Sequence, residues 1–252
     1  MEDYQLLIDL HKNAYRQGPG GDTESKKALD LGMLDKSQPL KIADIGCGTG
    51  ASTLLLGNLL DAQITAVDFL QDFLDILNTR AKNSGLAEKI STLCCSMENL
   101  PFEDEEYDVI WSEGAIYNMG FEKGVIDWNR YLKVGGLLVV SEITWISNSR
   151  PLEVQQYWEK EYPEIDVSSS KIKILEKNGY SPIGYFVLPE HCWLDNYYQP
   201  MQNNFQDFLM RNGNSEDARA IVEAENKEIE LYKKYKNYYS YGVYIAKKLH
   251  LP

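Results

Sequence analysis

The stretch Ile42-Ala43-Asp44-Ile45-Gly46-Cys47-Gly48-Thr49-Gly50-Ala51 constrains this chain more than any other: an apolar run, glycines at three alternate positions, then helix-forming residues. Glycine has no Cβ, so such a loop turns sharply and lets a ligand approach its backbone. A helix that starts directly after it presents free N–H groups and a positive dipole end to that ligand. Strand, glycine loop and helix in this order open a βαβ unit that holds a nucleotide-like ligand at the carboxyl end of a parallel sheet.

The chain keeps this rhythm through its centre. Apolar runs predict strands at 40–45, 63–67, 90–95, 107–111 and 136–143, with helices at 51–60, 70–83 and 125–132 between them. Alternation of this kind implies a largely parallel α/β sheet covered on both faces. Upstream, apolar residues at helical spacing predict a helix over 3–15. The breaker cluster Gln17-Gly18-Pro19-Gly20-Gly21 ends it, and Asp22-Thr23-Glu24 offers caps for a second helix to about Leu34. Downstream, aromatic-rich helical stretches at 151–162, 168–177 and 191–236 surround one strand-like run at 182–188. An alternating run at 239–249 then returns to the sheet. The expected organisation is a helical lid over 1–36, a ligand-binding core over 37–149, an aromatic insertion with one core strand over 150–236, and a last strand and tail over 237–252.

Composition narrows the function. The 252 residues suit one large α/β domain with an elaboration or two small domains. The 25 Lys and Arg against 38 Asp and Glu leave a net charge of −13, which repels a phosphate backbone and disfavours a nucleic-acid partner. Cys47, Cys94, Cys95 and Cys192 form no CxxC, no HExxH occurs, and imidazole comes only from His11, His191 and His250, so reduced buried thiols and no metal site are expected. No basic leader opens the chain, and no apolar run reaches the roughly 18 residues of a membrane span. A soluble cytoplasmic protein without integral membrane contact is the expectation.

Taken alone, the loop leaves two ligands open, because Gly46, Gly48 and Ala51 also satisfy the dinucleotide pattern G-x-G-x-x-A. Asp68 follows the second strand, 22 residues beyond Gly46, close to the about 20 expected of a carboxylate that binds ribose hydroxyls. With Asp44 two places before the first glycine and Gly50 as a third, the segment resembles the first motif of the class I S-adenosylmethionine-dependent methyltransferases, acidic-x-G-x-G-x-G. Later segments resemble the same family in order and spacing. They are Leu100-Pro101-Phe102, then Tyr107-Asp108-Val109-Ile110 before Ser112-Glu113, and Leu132-Lys133-Val134-Gly135-Gly136-Leu137, with Val134 in place of the common proline. Small-molecule enzymes of the ubiquinone/menaquinone-biosynthesis type carry D-A-x-x-L-P-F where this chain has Ser96 and Met97 followed by Leu100-Pro101-Phe102. The Asn/Asp-Pro-Pro-Tyr mark of amino-methylases of bases is absent.

The resemblance implies a Rossmann-like seven-stranded sheet with its last strand antiparallel, N-terminal helices and a helical insertion. It implies S-adenosyl-L-methionine as cofactor and a small-molecule acceptor, apolar or aromatic and quinone-like. Cofactor contacts are expected from Asp44, Gly46, Cys47, Gly48, Gly50, Asp68, Phe69, Ser96, Met97, Ser112 and Glu113, with Tyr15 and Arg16 reaching in from the N-terminal lid. Candidate bases for an acceptor that must lose a proton are His191, Glu113 and Tyr117, with Glu142 and His11 behind them. The aromatic insertion (Trp145, Tyr157, Trp158, Trp193, Tyr197, Tyr198, Phe205, Phe208) either encloses the acceptor or packs a small core, and leaves a homodimer open. A nicotinamide-dependent oxidoreductase and a non-catalytic S-adenosylmethionine-binding protein are the alternative readings.

Overall fold

The structure, a computed structural model, describes residues 2–35 and 37–250. Met1, Lys36, Leu251 and Pro252, which fall within or at the ends of the expected segments, lie outside the described residues. In chain order the main elements are α1 (Glu2–His11), α2 (Asp22–Gly32), β1 (Leu40–Ile45), α3 (Ala51–Leu59), β2 (Ala62–Asp68), α4 (Gln71–Asn83), β3 (Ile90–Cys94), β4 (Tyr107–Glu113), α5 (Phe121–Asn129) and β5 (Leu132–Trp145). They continue as α6 (Leu152–Glu161), β6 (Asp166–Val167), α7 (Ser168–Lys177), β7 (Tyr180–Val187), α8 (Glu190–Trp193), α9 (Gln199–Arg211), α10 (Glu216–Tyr235) and β8 (Tyr239–Lys248).

Seven strands form one sheet in the order β3-β2-β1-β4-β5-β8-β7, with β6 pairing the end of β5 outside that path. β1 lies between β2 and β4, parallel to both, with Ile42 opposite Ile64 on one side and Val109 on the other. Its residues from Ile42 to Ile45 are all buried, as a strand covered on both faces requires. Successive side chains point to opposite faces, so Ile42, Trp111 and Val139 join the core under α2, α3 and α4, while Ala43, Ile110 and Leu138 join the core under α5 and α7. The chain runs outward from β1 through β2 to β3 and then crosses back to β4. The carboxyl ends of β1 and β4 therefore flank a switch point, where such sheets bind ligands.

β8 runs antiparallel between β5 and β7, pairing Val139 with Ile245 and Val243 with Phe186. α10 delivers the chain to the carboxyl end of β5, where Trp145 pairs Tyr239 and Ile146 N–H donates to the Tyr238 carbonyl, so the last strand has to run back. The class I methyltransferase sheet expected from the resemblance is the sheet observed.

Three local features differ from the sequence expectation. The first helix stops at His11 rather than Tyr15, because Gln17 Nε2 donates to the carbonyls of His11 and Ala14 (both 3.2 Å) and holds the following residues in a turn. β5 begins at Leu132, before the Gly135-Gly136 turn, and an irregularity between Tyr107 and Val109 absorbs the extra length. β6 is two residues long, too short for any periodicity to reveal.

The insertion is built by aromatic packing. Trp193 stacks on Tyr232 at 4.4 Å and meets Tyr239 and Tyr241 edge-on, and Trp145, Tyr198 and Phe208 are buried beside them. No helix among the described residues is long and apolar enough to cross a membrane.

Candidate functional site

The glycine loop folds against the end of β2: Gly46 and Cys47 donate N–H to the Val67 carbonyl at 2.8 and 2.9 Å. Two of its glycines are required on steric grounds. A Cβ on Gly46 (φ +75°) would fall 2.2 Å from the Ala115 Cβ, and one on Gly50 (φ +90°) would fall 2.1 Å from Leu77 Cδ1, where α3 meets α4. Both adopt left-handed backbone that a side chain would strain.

Asp68 closes the loop from the neighbouring strand. Its Oδ2 accepts from Gly48 N–H and its Oδ1 from Leu70 N–H, each at 2.9 Å. Burial raises its carboxyl above the ordinary value, and these backbone donors pull it back. Beside them opens a cavity of about 670 Å³, the size of a small-molecule site. It gathers Gly46, Cys47, Gly48, Asp68, Phe69, Ser96, Met97, Glu113 and Tyr117 from the expected set. The carboxyl ends of β1, β2, β3 and β4 and the loops after them contribute these groups.

The other expected residues stand elsewhere. Asp44 is fully buried behind the loop, where Oδ2 accepts from Thr53 Oγ1 (2.6 Å) and Ser52 Oγ (2.9 Å), so it ties β1 to the first turn of α3. Gly50 packs on Leu77, and the buried Ser112 hydroxyl has no hydrogen-bond partner among the described residues. Tyr15 is 51% exposed and outside the cavity; its carbonyl accepts from Arg80 at 3.4 Å. His191, the leading candidate base, is about half exposed with Nε2 3.4 Å from Glu24 Oε1, and it does not line the cavity.

The segment between α1 and α2 forms a strap over the site. Arg16, only 7% exposed, donates Nη1 to Glu113 Oε2 (2.7 Å) and Nη2 to Asp22 Oδ1 (3.0 Å). Glu113 Oε1 accepts in addition from Ser25 Oγ (2.5 Å) and Trp111 Nε1 (2.9 Å). Both oxygens are thus committed, and Glu113 anchors the strap rather than standing free as a base. Gln17 Oε1 accepts from Thr49 N–H at 2.9 Å, which seats the strap directly on the glycine loop.

The insertion supplies residues that periodicity had not singled out. α10 turns Glu225 and Glu228, three residues apart on one helical face, into the cavity. A wide π turn at Leu194–Tyr198 aims Tyr197 at the same space, and His11 arrives from the end of α1, its ring stacked on Tyr197 and its Nε2 3.8 Å from Glu225 Oε1. Of the eight insertion aromatics, Tyr197 is the one that lines the cavity. Burial, then the neighbouring Glu225, pushes the Glu228 carboxyl up to about 7, against the Tyr198 hydroxyl that donates to it at 2.9 Å.

Burial also pushes Asp44 and Glu142 up to about 7, Glu142 against the pull of Lys171. Unfolded, these three carboxyls titrate near 3.8 or 4.5, so between there and about pH 7 the folded chain holds more protons than the unfolded one. Stability therefore falls as pH rises through that window. From pH 6 to pH 8 the loss is about 1 kcal/mol for each group that behaves in this way. Urea midpoints of the cofactor-free protein at the two pH values check the sign: a higher midpoint at pH 8 would contradict it.

Comparison with known proteins agrees with the geometry. Residues 43–140 match the methyltransferase domain family. The chain is 33% identical over 138 residues to an uncharacterized methyltransferase, YodH, of Bacillus subtilis, covering 55% of this chain and 57% of that one. It is 31% identical over 126 residues to a demethylmenaquinone methyltransferase of Bacteroides fragilis, covering 49% and 51%. The matched region thus spans little more than half the length of these relatives. A solved S-adenosylmethionine-dependent methyltransferase of Geobacter sulfurreducens, in complex with S-adenosyl-L-homocysteine, superposes with a TM-score of 0.83 over 97% of this chain and 98% of that one, at 16% identity, a likeness of fold. With the domain match lying across β1 to β5 and the strand order carried through to β8, the chain has the class I S-adenosylmethionine-dependent methyltransferase fold, and its residues 43–140 match the methyltransferase domain family.

Proposed function

We propose that this chain transfers a methyl group from S-adenosylmethionine to a small-molecule acceptor. The observation that carries the proposal is the Asp68 carboxylate, held by two backbone N–H groups on the same cavity as a glycine loop that cannot accept a Cβ at Gly46. A nucleoside fits this donor set: Asp68 accepts from ribose hydroxyls, while Phe69, Ser96 and Met97 line the cavity next to it for the adenine. The first turn of α3 has no side-chain cap, which leaves backbone donors at the cavity edge for a carboxylate.

When bound, S-adenosylmethionine supplies an electrophilic methyl carbon on a sulfonium. The chain has to align the acceptor in line with that carbon and keep water away. Arg16 and Gln17 close the strap side of the cavity, and Tyr117 and Tyr197 offer ring surface to an acceptor with an aromatic or quinone-like body. Glu228, with its carboxyl near 7, is suited to take a proton from a hydroxyl or amine on that acceptor.

Calorimetric titration with S-adenosylmethionine, S-adenosylhomocysteine, NAD and NADP tests the reading. Micromolar binding confined to the two S-adenosyl compounds is the expected result. Binding of the nicotinamide compounds alone would replace it with an oxidoreductase, and S-adenosyl binding without methylated product across a broad acceptor panel would replace it with a cofactor-binding protein that has no transferase activity.

A further inference from the structure

Outside the cavity, one group among the described residues brings three kinds of metal-ligating side chain together: Glu24 from α2 with His191 and Cys192 from α8, their ligand atoms all within 4.8 Å of one another. His191 Nε2 stands 3.4 Å from Glu24 Oε1 and 3.7 Å from Cys192 Sγ. Around a tetrahedral ion with metal–nitrogen and metal–oxygen bonds of about 2.1 Å and a metal–sulfur bond of about 2.3 Å, neighbouring ligand atoms lie roughly 3.3 to 3.7 Å apart. The two distances from His191 Nε2 already have that spacing, and the third pair lies within 4.8 Å.

Two further observations point to a ligand. Glu24 is 8% exposed, and its Oε2 is buried with no hydrogen-bond partner, a costly state for a carboxylate oxygen. Gly21 keeps the adjoining space open: a Cβ there would fall 2.2 Å from Glu24 Oε2, 3.1 Å from Asn196 Nδ2 and 3.4 Å from Cys192 Sγ. Its backbone is extended (φ −167°), a conformation any residue adopts, so space rather than backbone geometry calls for glycine.

We propose that Glu24, His191 and Cys192 form a binding site for a borderline divalent cation of the zinc type. A mixed thiolate, imidazole and carboxylate set suits such an ion and disfavours magnesium or calcium, which take oxygen ligands. Three protein ligands leave a coordination position for water. On binding, the Cys192 Sγ–H bond breaks, its proton goes to solvent, and the sulfur electron pair forms the metal bond.

The ion would join α2 to α8 at the downstream end of the strap, where Asn196 Nδ2 donates to the Gly20 carbonyl at 2.8 Å and Gly20 N–H to the Cys192 carbonyl at 3.4 Å. Occupancy thus holds in place the segment that carries Arg16 to Pro19 over the cavity. No sequence pattern announces the site, because one ligand comes from α2 and the other two are adjacent residues far along the chain.

Cobalt is the test. Metal-stripped full-length protein in a phosphine reductant is titrated with Co2+ and followed by absorbance. The expected result is one equivalent bound, with tetrahedral visible bands and a thiolate-to-cobalt charge-transfer band, both removed by Zn2+. Cys192→Ser should lose the charge-transfer band, the half-exposed His191→Ala should weaken binding about 10-fold or more, and Gly21→Ala should abolish it. The double variant Cys94→Ser, Cys95→Ser should behave as wild type. Absence of the charge-transfer band in wild type, its survival in Cys192→Ser, or its loss in the double variant would each overturn the site, with circular dichroism confirming that every variant is folded.

Discussion

Asp68→Ala should weaken binding of S-adenosylhomocysteine by about 100-fold or more while the sheet remains folded. Hydrogen bonds to a charged group are worth about 1.5 to 3 kcal/mol each, so losing the acceptor for two ribose hydroxyls removes at least about 3 kcal/mol. The substitution also frees Gly48 N–H and Leu70 N–H, which the carboxylate holds at 2.9 Å, and so loosens the glycine loop itself. Asp68→Asn keeps one carbonyl acceptor and should lose less. Calorimetry on both variants gives the ranking, and a loss below about fivefold for the alanine variant would remove Asp68 from the cofactor site.

The second large effect is on stability. Lys171 and Glu142 form a pair 3.4 Å apart at 2% and 0% side-chain exposure, with Lys171 also donating to the Glu164 carbonyl at 2.8 Å. Lys171→Met leaves the carboxyl without its counter-charge, and breaking a buried pair from one side costs about 3 kcal/mol or more when the remaining group is ionised. Lys171 is one of the groups that hold the Glu142 carboxyl down, so in the variant that carboxyl rises further above 7. At pH 8 the paired wild-type carboxyl is ionised while the variant's holds its proton, so the cost there exceeds that at low pH by about 1 kcal/mol. At pH 5.5 the carboxyl is protonated in both proteins, and the difference shrinks to about 1 kcal/mol or less. Urea denaturation at the two pH values measures this, and adding Glu142→Gln should abolish the pH dependence of the difference. A cost equal at both values would mean that the pair contributes by packing alone. Tyr162 links this pair to the site, since its ring meets Lys171 on one side and Tyr117 edge-on at 6.1 Å on the other.

Much of the fold from Leu40 to Trp145 was legible in the sequence, and the reason is locality. A glycine needed for a left-handed backbone, an apolar run buried on both faces and a carboxylate at a strand end each act within a few residues of their place in the chain. Gly46, Gly48 and Asp68 therefore declared themselves, and so did the order of strands and helices from Leu40 to Trp145. Asp44 shows the limit. Its position in the motif was legible, but its contacts with Ser52 and Thr53 place it behind the loop and not on the cavity.

The insertion was legible as helical and aromatic, yet which of its side chains face the cavity was not. Periodicity assigns residues to a helix face, but a π turn at Leu194–Tyr198 shifts that phase, turning Tyr197 into the cavity and Tyr198 into the core. His191 carried the chemistry of a base and stands beside Glu24 instead, because the docking of α8 on α2 decides its surroundings. Glu225, Glu228 and Gln17 read as ordinary polar residues until α10 and the strap close on the glycine loop.

The amino-acid sequence by itself determined the α/β class, the glycine loop and the carboxylate at the end of the second strand, because those rest on backbone conformation and short-range spacing. Only the tertiary structure decided which carboxylates face the acceptor space, that Glu113 is committed to Arg16, and that Glu24 meets His191 and Cys192. Those outcomes depend on contacts between segments far apart in the chain, which packing brings together and no local pattern encodes.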